Sequence, residues 1–207
     1  MPVPRIVLPS TCPSQGTLAM TQTPTKQQFT FEEYLAYDDG TDNRYELVDG
    51  DLVLMPPPTG RHADIVDFLQ DTFKAVCKRR NLDWAVRPGN VGVRTTDVKS
   101  RLPDLVVITE AQRQAIREIS AVLQSPPLLA VEVVSSGNPE TDYRYKRSEY
   151  AAREIPEYWI VDPRSSLVTV LLLVEGLYED TEFRGSDPII SPTFPELILT
   201  AAQVLSA

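Results

Sequence analysis

Two apolar segments of this chain each carry an acidic residue, and this combination limits how the chain can fold. Residues 105–108 form an aliphatic run directly after Asp104, and residues 128–134 form an apolar run interrupted only by Glu132. Such runs are typical of strands that are buried on both faces of a sheet. A carboxylate in a buried strand is costly unless it is paired or bound to a cation. Both acids are therefore candidates for a functional site.

The chain divides by composition into a tail and one domain. Residues 1–28 are rich in Pro, Ser, Thr and Gln and lack hydrophobic periodicity, which predicts a disordered N-terminal extension. Residues 29–207 are long enough for one sizeable core but short for two. We therefore predict a single domain over this range.

The cysteine count and the hydropathy pattern bear on where the protein works. Cys12 and Cys77 are too few for a disulfide framework, which favours a reducing compartment. No apolar run approaches the roughly 18 to 20 residues that a membrane-spanning helix needs. We therefore expect a cytoplasmic protein that has no membrane partner.

The order of predicted elements indicates a mixed α/β (α+β) fold. Capping signals or helical periodicity predict helices at residues 30–37, 61–80, 110–123 and 141–153. Strands are predicted at residues 44–48, 51–55, 84–87, 91–94, 105–108, 128–134, 157–161, 167–174 and 177–183. Turn signals at Asp49-Gly50 and Glu175-Gly176 join the first and the last pair of strands into hairpins. We expect a central mixed sheet flanked by helices, with a helix and hairpin at its N-terminal side and a hairpin at its C-terminal side.

The charge distribution points in two directions. The formal net charge of −9 argues against binding nucleic acid by general electrostatics, which depends on clustered Lys and Arg. Basic residues are concentrated in two stretches, eight of them at 74–101 and four at 144–153. If these stretches meet in space they form one positive face, although a solvated helix surface would explain either stretch alone.

Several motifs occur in an order that is more specific than any one of them. They are RYELVDGDLVLMPPP, LPDLVVI, PPLLAVEVVS, the spaced residues Asp142, Lys146 and Tyr150, and EYWIVDP. From about residue 29 to the C-terminus, the chain resembles the Uma-type restriction-endonuclease-like family of the PD-(D/E)XK nuclease superfamily. The resemblance implies a restriction-endonuclease-like fold and metal-dependent hydrolysis of phosphodiester bonds in nucleic acid, with DNA as the expected substrate. It also implies Mg²⁺ as the cofactor, for which Mn²⁺ can substitute.

The resemblance assigns roles to four residues. Asp104 and Glu132 correspond to metal ligands, and Glu46 corresponds to an additional acid that reaches the same site and helps to bind the metal. The superfamily usually has a lysine two residues after the second acid, but that position is Val134 here. Lys146, on the following helix, matches the migrated lysine of Uma-type sequences and would stabilise charge on the phosphate or on the attacking water.

Each of these residues also has a purely structural explanation. Asp104 after Pro103 fits an ordinary strand start, and Glu132 fits a structural ion pair. Glu46 fits an exposed strand residue that pairs with a nearby basic side chain, and Lys146 fits a solvated helix lysine. The residues alone leave both explanations open at each position.

Three further residues are secondary candidates. Asp142 and Tyr150 match family positions on the helix of Lys146, where Asp142 would fix local geometry and Tyr150 would pack or hydrogen-bond near the lysine. His62, the only histidine, lies just inside the helix predicted at 61–80. It fits contact with phosphate or an acid role, and it equally fits a helix-start capping or surface role.

Other functions stay open from the sequence. A non-catalytic binding or scaffold protein with a nuclease fold fits the acidic net charge, and hydrolysis of a small phosphorylated substrate would need no nucleic-acid surface. A homodimer is a further expectation, because residues 167–183 include an almost continuous apolar stretch. Core burial explains that stretch equally well.

Overall fold

The computed structural model describes residues 28–135, 137 and 139–207. Apart from Gln28, the predicted disordered extension lies outside the described residues. The helices are α1 (Phe31–Leu35), α2 (Gly60–Arg80), α3 (Glu110–Ala115), α4 (Arg147–Ala152) and α5 (Ala201–Leu205), and a π-helical segment (Thr141–Lys146) leads directly into α4. The strands are β1 (Tyr45–Val48), β2 (Asp51–Leu54), β3 (Trp84–Pro88), β4 (Gly92–Thr96), β5 (Lys99–Arg101), β6 (Leu105–Thr109), β7 (Val122–Leu123), β8 (Leu129–Val133), β9 (Glu157–Asp162), β10 (Leu167–Val174) and β11 (Leu177–Phe183).

The strands of the described ranges form two mixed sheets flanked by helices. One has five strands in the order β2-β1-β5-β4-β7, and the other has six in the order β11-β10-β9-β8-β6-β3. The predicted mixed α/β fold with a hairpin near each end is confirmed. The structure differs from the expected single central sheet because β5 pairs with both β1 and β4 and so builds a second sheet. The sequence of β5, Lys-Ser-Arg, has no apolar residue and therefore no strand signal.

The first hairpin forms because its turn residues tolerate left-handed backbone. Asp49 has φ 51° and Gly50 has φ 82°, and positive φ at both central residues is the requirement of a type I′ turn. This turn sets β1 against β2 with Glu46 opposite Val53. It thereby fixes which side chains of β1 face the interior.

Three inner strands of the six-stranded sheet, β6, β8 and β9, are buried on both faces, which explains their continuous apolar sequences. Ile65 and Phe73 of α2 pack in one cluster with Val131 of β8. Ala130, the neighbouring residue of β8, points to the opposite face and packs in a second cluster with Tyr150 of α4. Strands covered on both sides need no polar face.

The helix predicted at residues 110–123 is too long. α3 ends at Ala115, and Val122 and Leu123 instead form β7, which pairs in parallel with Gly92 and Val93 of β4. Pairing with the five-stranded sheet buries both β7 residues. The tertiary contact therefore overrides the local helical signal.

Two observations bear on the expected surroundings of the protein. In the part of the chain that the structure describes, no helix is both long and apolar enough to cross a membrane. Val168, Val170 and Leu171 of β10 are buried in the core, whereas Val174 is 41% exposed and Leu177 is 74% exposed. Core burial therefore accounts for the first part of that apolar stretch but not for its end. A homodimer and a cytoplasmic location stay predictions.

Candidate active site

Asp104 and Glu132 come together through the pairing of β6 with β8. These strands are antiparallel with Leu105 opposite Val131, so the register carries Asp104, the residue before β6, towards Glu132. Asp104 Oδ2 accepts a hydrogen bond of 2.7 Å from the backbone N–H of Val133. Both acids line one cavity of about 700 Å³. The two expected metal ligands therefore share one wall of a cavity.

Lys146 lies among three buried acids. Its Nζ is 2.7 Å from Glu132 Oε2, 3.3 Å from Asp142 Oδ1 and 3.8 Å from Glu46 Oε1. The lysine is buried at the C-terminal end of the π-helical segment, a rare form that often occurs at functional sites. A solvated helix lysine is therefore the wrong explanation of Lys146, because its ammonium group reaches back to the strand acids.

Tyr150 and Asp142 belong to the same cluster. The Tyr150 hydroxyl donates a 2.6 Å hydrogen bond to Glu132 Oε1, so the two oxygens of Glu132 are held by two different donors. Asp142 is also buried, and its backbone carbonyl accepts a hydrogen bond from the Tyr158 hydroxyl at 3.1 Å. Tyr150 thus fixes the orientation of Glu132, and Asp142 links the π-helical segment to Lys146.

His62 reaches the cavity from the first turn of α2. Its Nε2 lies 2.9 Å from Asp104 Oδ1, and its side chain is 15% exposed. The N-cap of α2 is Thr59, whose hydroxyl accepts from the His62 backbone N–H. The imidazole is therefore free of the capping role and orients the Asp104 carboxylate instead.

Glu46 is held by an arginine that the sequence reasoning did not single out. The Arg101 guanidinium donates to Glu46 Oε2 at 2.9 Å, and its Nε and Nη2 both donate at 2.7 Å to the two oxygens of Glu149. The backbone N–H of Leu102 donates to Glu46 Oε1 at 2.9 Å. Glu46 is thus buried and paired, which contradicts its explanation as an exposed strand residue.

A sequence signal for these missed residues exists but is weak. Arg101 stands three residues before Asp104, and Glu149 stands three residues after Lys146, so each lies one helical turn or a few strand positions from a candidate residue. Neither spacing predicts that the two side chains meet, because they come from a strand and a helix about 48 residues apart.

Replacing Arg101 by Lys tests this clamp on Glu46. A lysine ammonium cannot reproduce the planar fork that binds Glu149 at two points while also reaching Glu46. We expect Arg101→Lys to lower the free energy of unfolding by about 2 kcal/mol, measured by urea denaturation. Arg117→Lys is the matched control, because Arg117 forms an exposed pair with Glu118, and such pairs contribute about 0.5 kcal/mol or less. Equal effects of the two substitutions would contradict a structural role for the clamp.

The buried acids around Lys146 and the lysine itself change one another's pKa. Burial raises the pKa of the Glu132 carboxyl well above its ordinary value, and Lys146 acts in the opposite direction. Burial also acts to lower the pKa of Lys146, but Glu132, Glu46 and Asp142 outweigh it and raise that pKa above its ordinary value. Lys146 is therefore charged at neutral pH. Strongly perturbed groups facing a cavity are typical of functional sites.

The donor set suits a hard cation, although the described residues hold no complete preformed site. Among them, no group of three or more His, Cys, Asp or Glu side chains is arranged to hold a metal ion. The oxygens of both carboxylates have partners in this structure: Tyr150 and Lys146 for Glu132, and Val133 and His62 for Asp104. Mg²⁺ commonly takes one or two carboxylates and fills its other positions with waters and phosphate oxygens. Asp104 and Glu132 fit that mode of binding.

Glu46 has a different position from the other two acids. It does not line the cavity that Asp104 and Glu132 share, and one of its oxygens is bound to Arg101. Its contact with the site passes through Lys146. In this structure the Glu46 carboxylate contacts Lys146 and does not face the cavity.

The two basic stretches meet only in part. Lys99 and Arg101 of the first stretch contact Glu149, which lies within the second stretch. Arg94 and Arg153, one from each stretch, line a smaller second cavity. Because Glu149 lies between Lys99 and Arg101, these contacts neutralise charge and do not build one continuous positive face.

Comparisons with known proteins agree with this architecture. A solved structure from Anabaena variabilis, described as a "putative nuclease belonging to DUF820", matches with a TM-score of 0.71 and 21% sequence identity, covering 86% of this chain and 98% of that chain. Similarity at this level of identity shows a shared fold. No curated protein matches the chain.

A family comparison covers most of the chain. The family model Uma2, described as "Putative restriction endonuclease", matches residues 31–202. This range contains every candidate site residue described above, from Glu46 to Tyr150. The description of the family supports a nuclease-like function. Because the match covers well over half of its length, this chain belongs to the Uma2 family of restriction-endonuclease-like proteins.

Proposed function

We propose that this protein is a metal-dependent endonuclease that hydrolyses phosphodiester bonds in nucleic acid, with DNA as its substrate and Mg²⁺ or Mn²⁺ as its cofactor. One observation carries the proposal: Asp104 and Glu132 face the same cavity, and Lys146 Nζ is 2.7 Å from Glu132. Two carboxylates can hold a divalent cation and an ammonium group can stabilise charge on a phosphate, so together they suit metal-dependent hydrolysis of a phosphodiester.

The roles follow from the contacts of each side chain. Asp104 and Glu132 would hold the cation, with Glu46 as an additional acid behind Lys146. A bound Mg²⁺ supplies charge stabilisation at the phosphate and lowers the pKa of the attacking water. Lys146, which is charged and held by acids on three sides, would donate a hydrogen bond to a phosphate oxygen or to that water. Removing one such charge-stabilising donor typically lowers the rate about 10² to 10³-fold.

The neighbouring residues would keep the reacting groups in position. Tyr150 holds one oxygen of Glu132, and His62 holds one oxygen of Asp104. Such partners restrict rotation of the carboxylates and typically change metal affinity or activity about 10- to 100-fold when they are removed. We assign both as positioning residues.

Hydrolysis of a small phosphorylated substrate is the second candidate. The cavity volume of about 700 Å³ lies within the range that small-molecule sites occupy. This candidate predicts turnover of a small phosphodiester without binding of nucleic acid.

A cleavage assay with a matched pair of variants tests the proposal. We expect wild-type protein to cleave supercoiled plasmid DNA in Mg²⁺ or Mn²⁺ and to lose this activity in excess chelator. Asp104→Asn removes the charge of one ligand and is expected to lower the rate by about three orders of magnitude or more. Asp71→Asn is the control and is expected to keep the wild-type rate, because Asp71 is exposed on α2 and does not line the cavity.

The outcomes separate the candidates. Full plasmid cleavage by Asp104→Asn would contradict the assigned site. Turnover of a small chromogenic phosphodiester with no effect on plasmid would favour the second candidate. A folded protein that neither binds Mn²⁺ nor cleaves either substrate would favour the non-catalytic scaffold.

A further inference from the structure

The cavity changes its charge from the inside to the outside. Glu132 and Asp142 line its buried part, whereas its exposed charged residues are Asp67 and three arginines, Arg44, Arg61 and Arg164. We call these three the rim arginines. In a chain with a net charge of −9, three exposed arginines around one acidic cavity form a local concentration of positive charge.

Each rim arginine lies in or next to an element that carries a residue of the site or pairs with one that does. Arg44 precedes β1 and stands two residues from Glu46, and Arg61 directly precedes His62. Arg164 follows β9, the parallel neighbour of the Glu132 strand. The rim is therefore fixed relative to the buried acids by strand pairing and by α2.

The rim arginines differ in how far they serve the fold. The Arg44 guanidinium donates to the carbonyl of Gly89, and the Arg61 guanidinium donates to the carbonyl of Leu205 at 3.0 Å. Among the described residues, the Arg164 side chain forms no hydrogen bond and no ion pair, and only its backbone N–H is engaged, by Asp162. An exposed guanidinium without a protein partner at the mouth of a cavity has all its donors available for a ligand.

We propose that the rim arginines bind the sugar-phosphate backbone of a double-stranded nucleic acid on either side of the phosphate that enters the acidic cavity. This inference rests on the proposed function, since it supplies the substrate contacts of the same site. Guanidinium groups suit phosphate because their planar donors match two phosphate oxygens. Contacts of this kind position a nucleic acid without reading its bases.

The lining of the cavity favours stacked bases over splayed ones. Proteins that grip single strands combine basic grooves with aromatic side chains on which the bases stack. Among the described residues that line this cavity, none is Phe, Tyr or Trp. Three consecutive prolines, Pro56 to Pro58, and Pro163 form part of its wall instead. The described lining of the cavity therefore offers contacts for phosphate but no Phe, Tyr or Trp on which a base could stack.

A salt titration of binding tests the rim directly. Fluorescence anisotropy measures the Kd of a labelled 20-base-pair DNA duplex and of its single strand, in chelator, so that the probe stays intact. We expect the duplex to bind more tightly than the single strand and log Kd to depend linearly on log salt. Arg164→Gln is expected to weaken duplex binding several-fold and to reduce the slope by about one. Arg117→Gln is the control, because it makes the same change in net charge at an exposed site outside the cavity.

Each outcome decides the inference. An unchanged slope in Arg164→Gln, an equal effect of Arg117→Gln, tighter binding of the single strand, or no duplex binding would overturn it. Because binding is read without metal or turnover, its failure is distinct from failure of the proposed function. If the protein cleaves DNA in a metal-dependent way but Arg164→Gln has no effect on duplex binding, only the inference about the rim arginines is contradicted. If Arg164→Gln reduces the slope of log Kd against log salt in a protein that neither binds metal nor cleaves, the rim arginines bind nucleic acid but the proposed nuclease function is wrong.

Discussion

Replacing Glu132 by Gln is expected to abolish metal binding and to lower the rate of DNA cleavage by about three orders of magnitude or more. The substitution keeps the shape of the side chain but removes the charge that a hard cation requires. Calorimetric titration with Mn²⁺ measures the first effect, and plasmid cleavage measures the second. Calorimetry needs no substrate, so its result does not depend on the choice of nucleic acid.

The contacts of Glu132 indicate that Glu132→Gln still folds. The amide oxygen can accept from Lys146, and the amide nitrogen can donate to the Tyr150 hydroxyl, which accepts as well as donates. Lys146 also keeps Asp142 and Glu46 as partners. A neutral amide is moreover less costly to bury than a carboxylate.

Glu157→Gln provides the matched control for the loss of a buried carboxylate. Glu157 is buried on β9, next to the Glu132 strand, and accepts hydrogen bonds from Trp159, Ser191 and the Thr193 backbone. It lies outside the cavity. We expect this variant to lower Tm, because the amide cannot accept at both positions, and to keep Mn²⁺ binding. Equal metal affinity in wild type and Glu132→Gln would contradict the metal site.

Replacing Lys146 by Met is expected to have the largest effect on stability, a loss of about 3 kcal/mol of unfolding free energy. The substitution fills a similar volume but leaves Glu132 and Asp142 buried without their cation. For a domain of this size the change corresponds to a fall in Tm of roughly 6 to 12 °C. Thermal denaturation in chelator measures it.

Two further measurements test the metal site and the electrostatic origin of the loss, in that order. If Asp104 and Glu132 bind metal, Mn²⁺ at about 100 times its Kd stabilises Lys146→Met by about 2.7 kcal/mol. The double variant Lys146→Met/Glu132→Gln removes both members of the closest pair and is expected to be more stable than Lys146→Met alone. A double variant that loses the sum of the two single effects would contradict direct coupling between Lys146 and Glu132.

Most elements and the strand acids were predictable because they depend on local patterns. The Asp49-Gly50 turn, the capping box at Thr30 and the apolar periodicity of α2 each act over a few residues. The continuous apolar sequences of β8 and β9 indicated burial on both faces, which the structure has. The exceptions include β5 and β7, short strands whose pairing partners lie elsewhere in the chain, so that no local pattern identifies them. The short helix α5 was also not predicted, although Thr200 and Gln203 form a capping box at its start.

The sequence by itself determined which segments are buried and that Asp104 and Glu132 enter them, because burial of apolar residues and the cost of a buried charge are properties of the local sequence. Only the tertiary structure decided what neutralises those charges. The antiparallel register of β6 and β8, the π-helical turn under Lys146 and the Arg101–Glu149 clamp on Glu46 join segments that are 14 to 56 residues apart. Charge pairing depends on distances of a few ångströms between such segments, and those distances exist only after the sheets have formed.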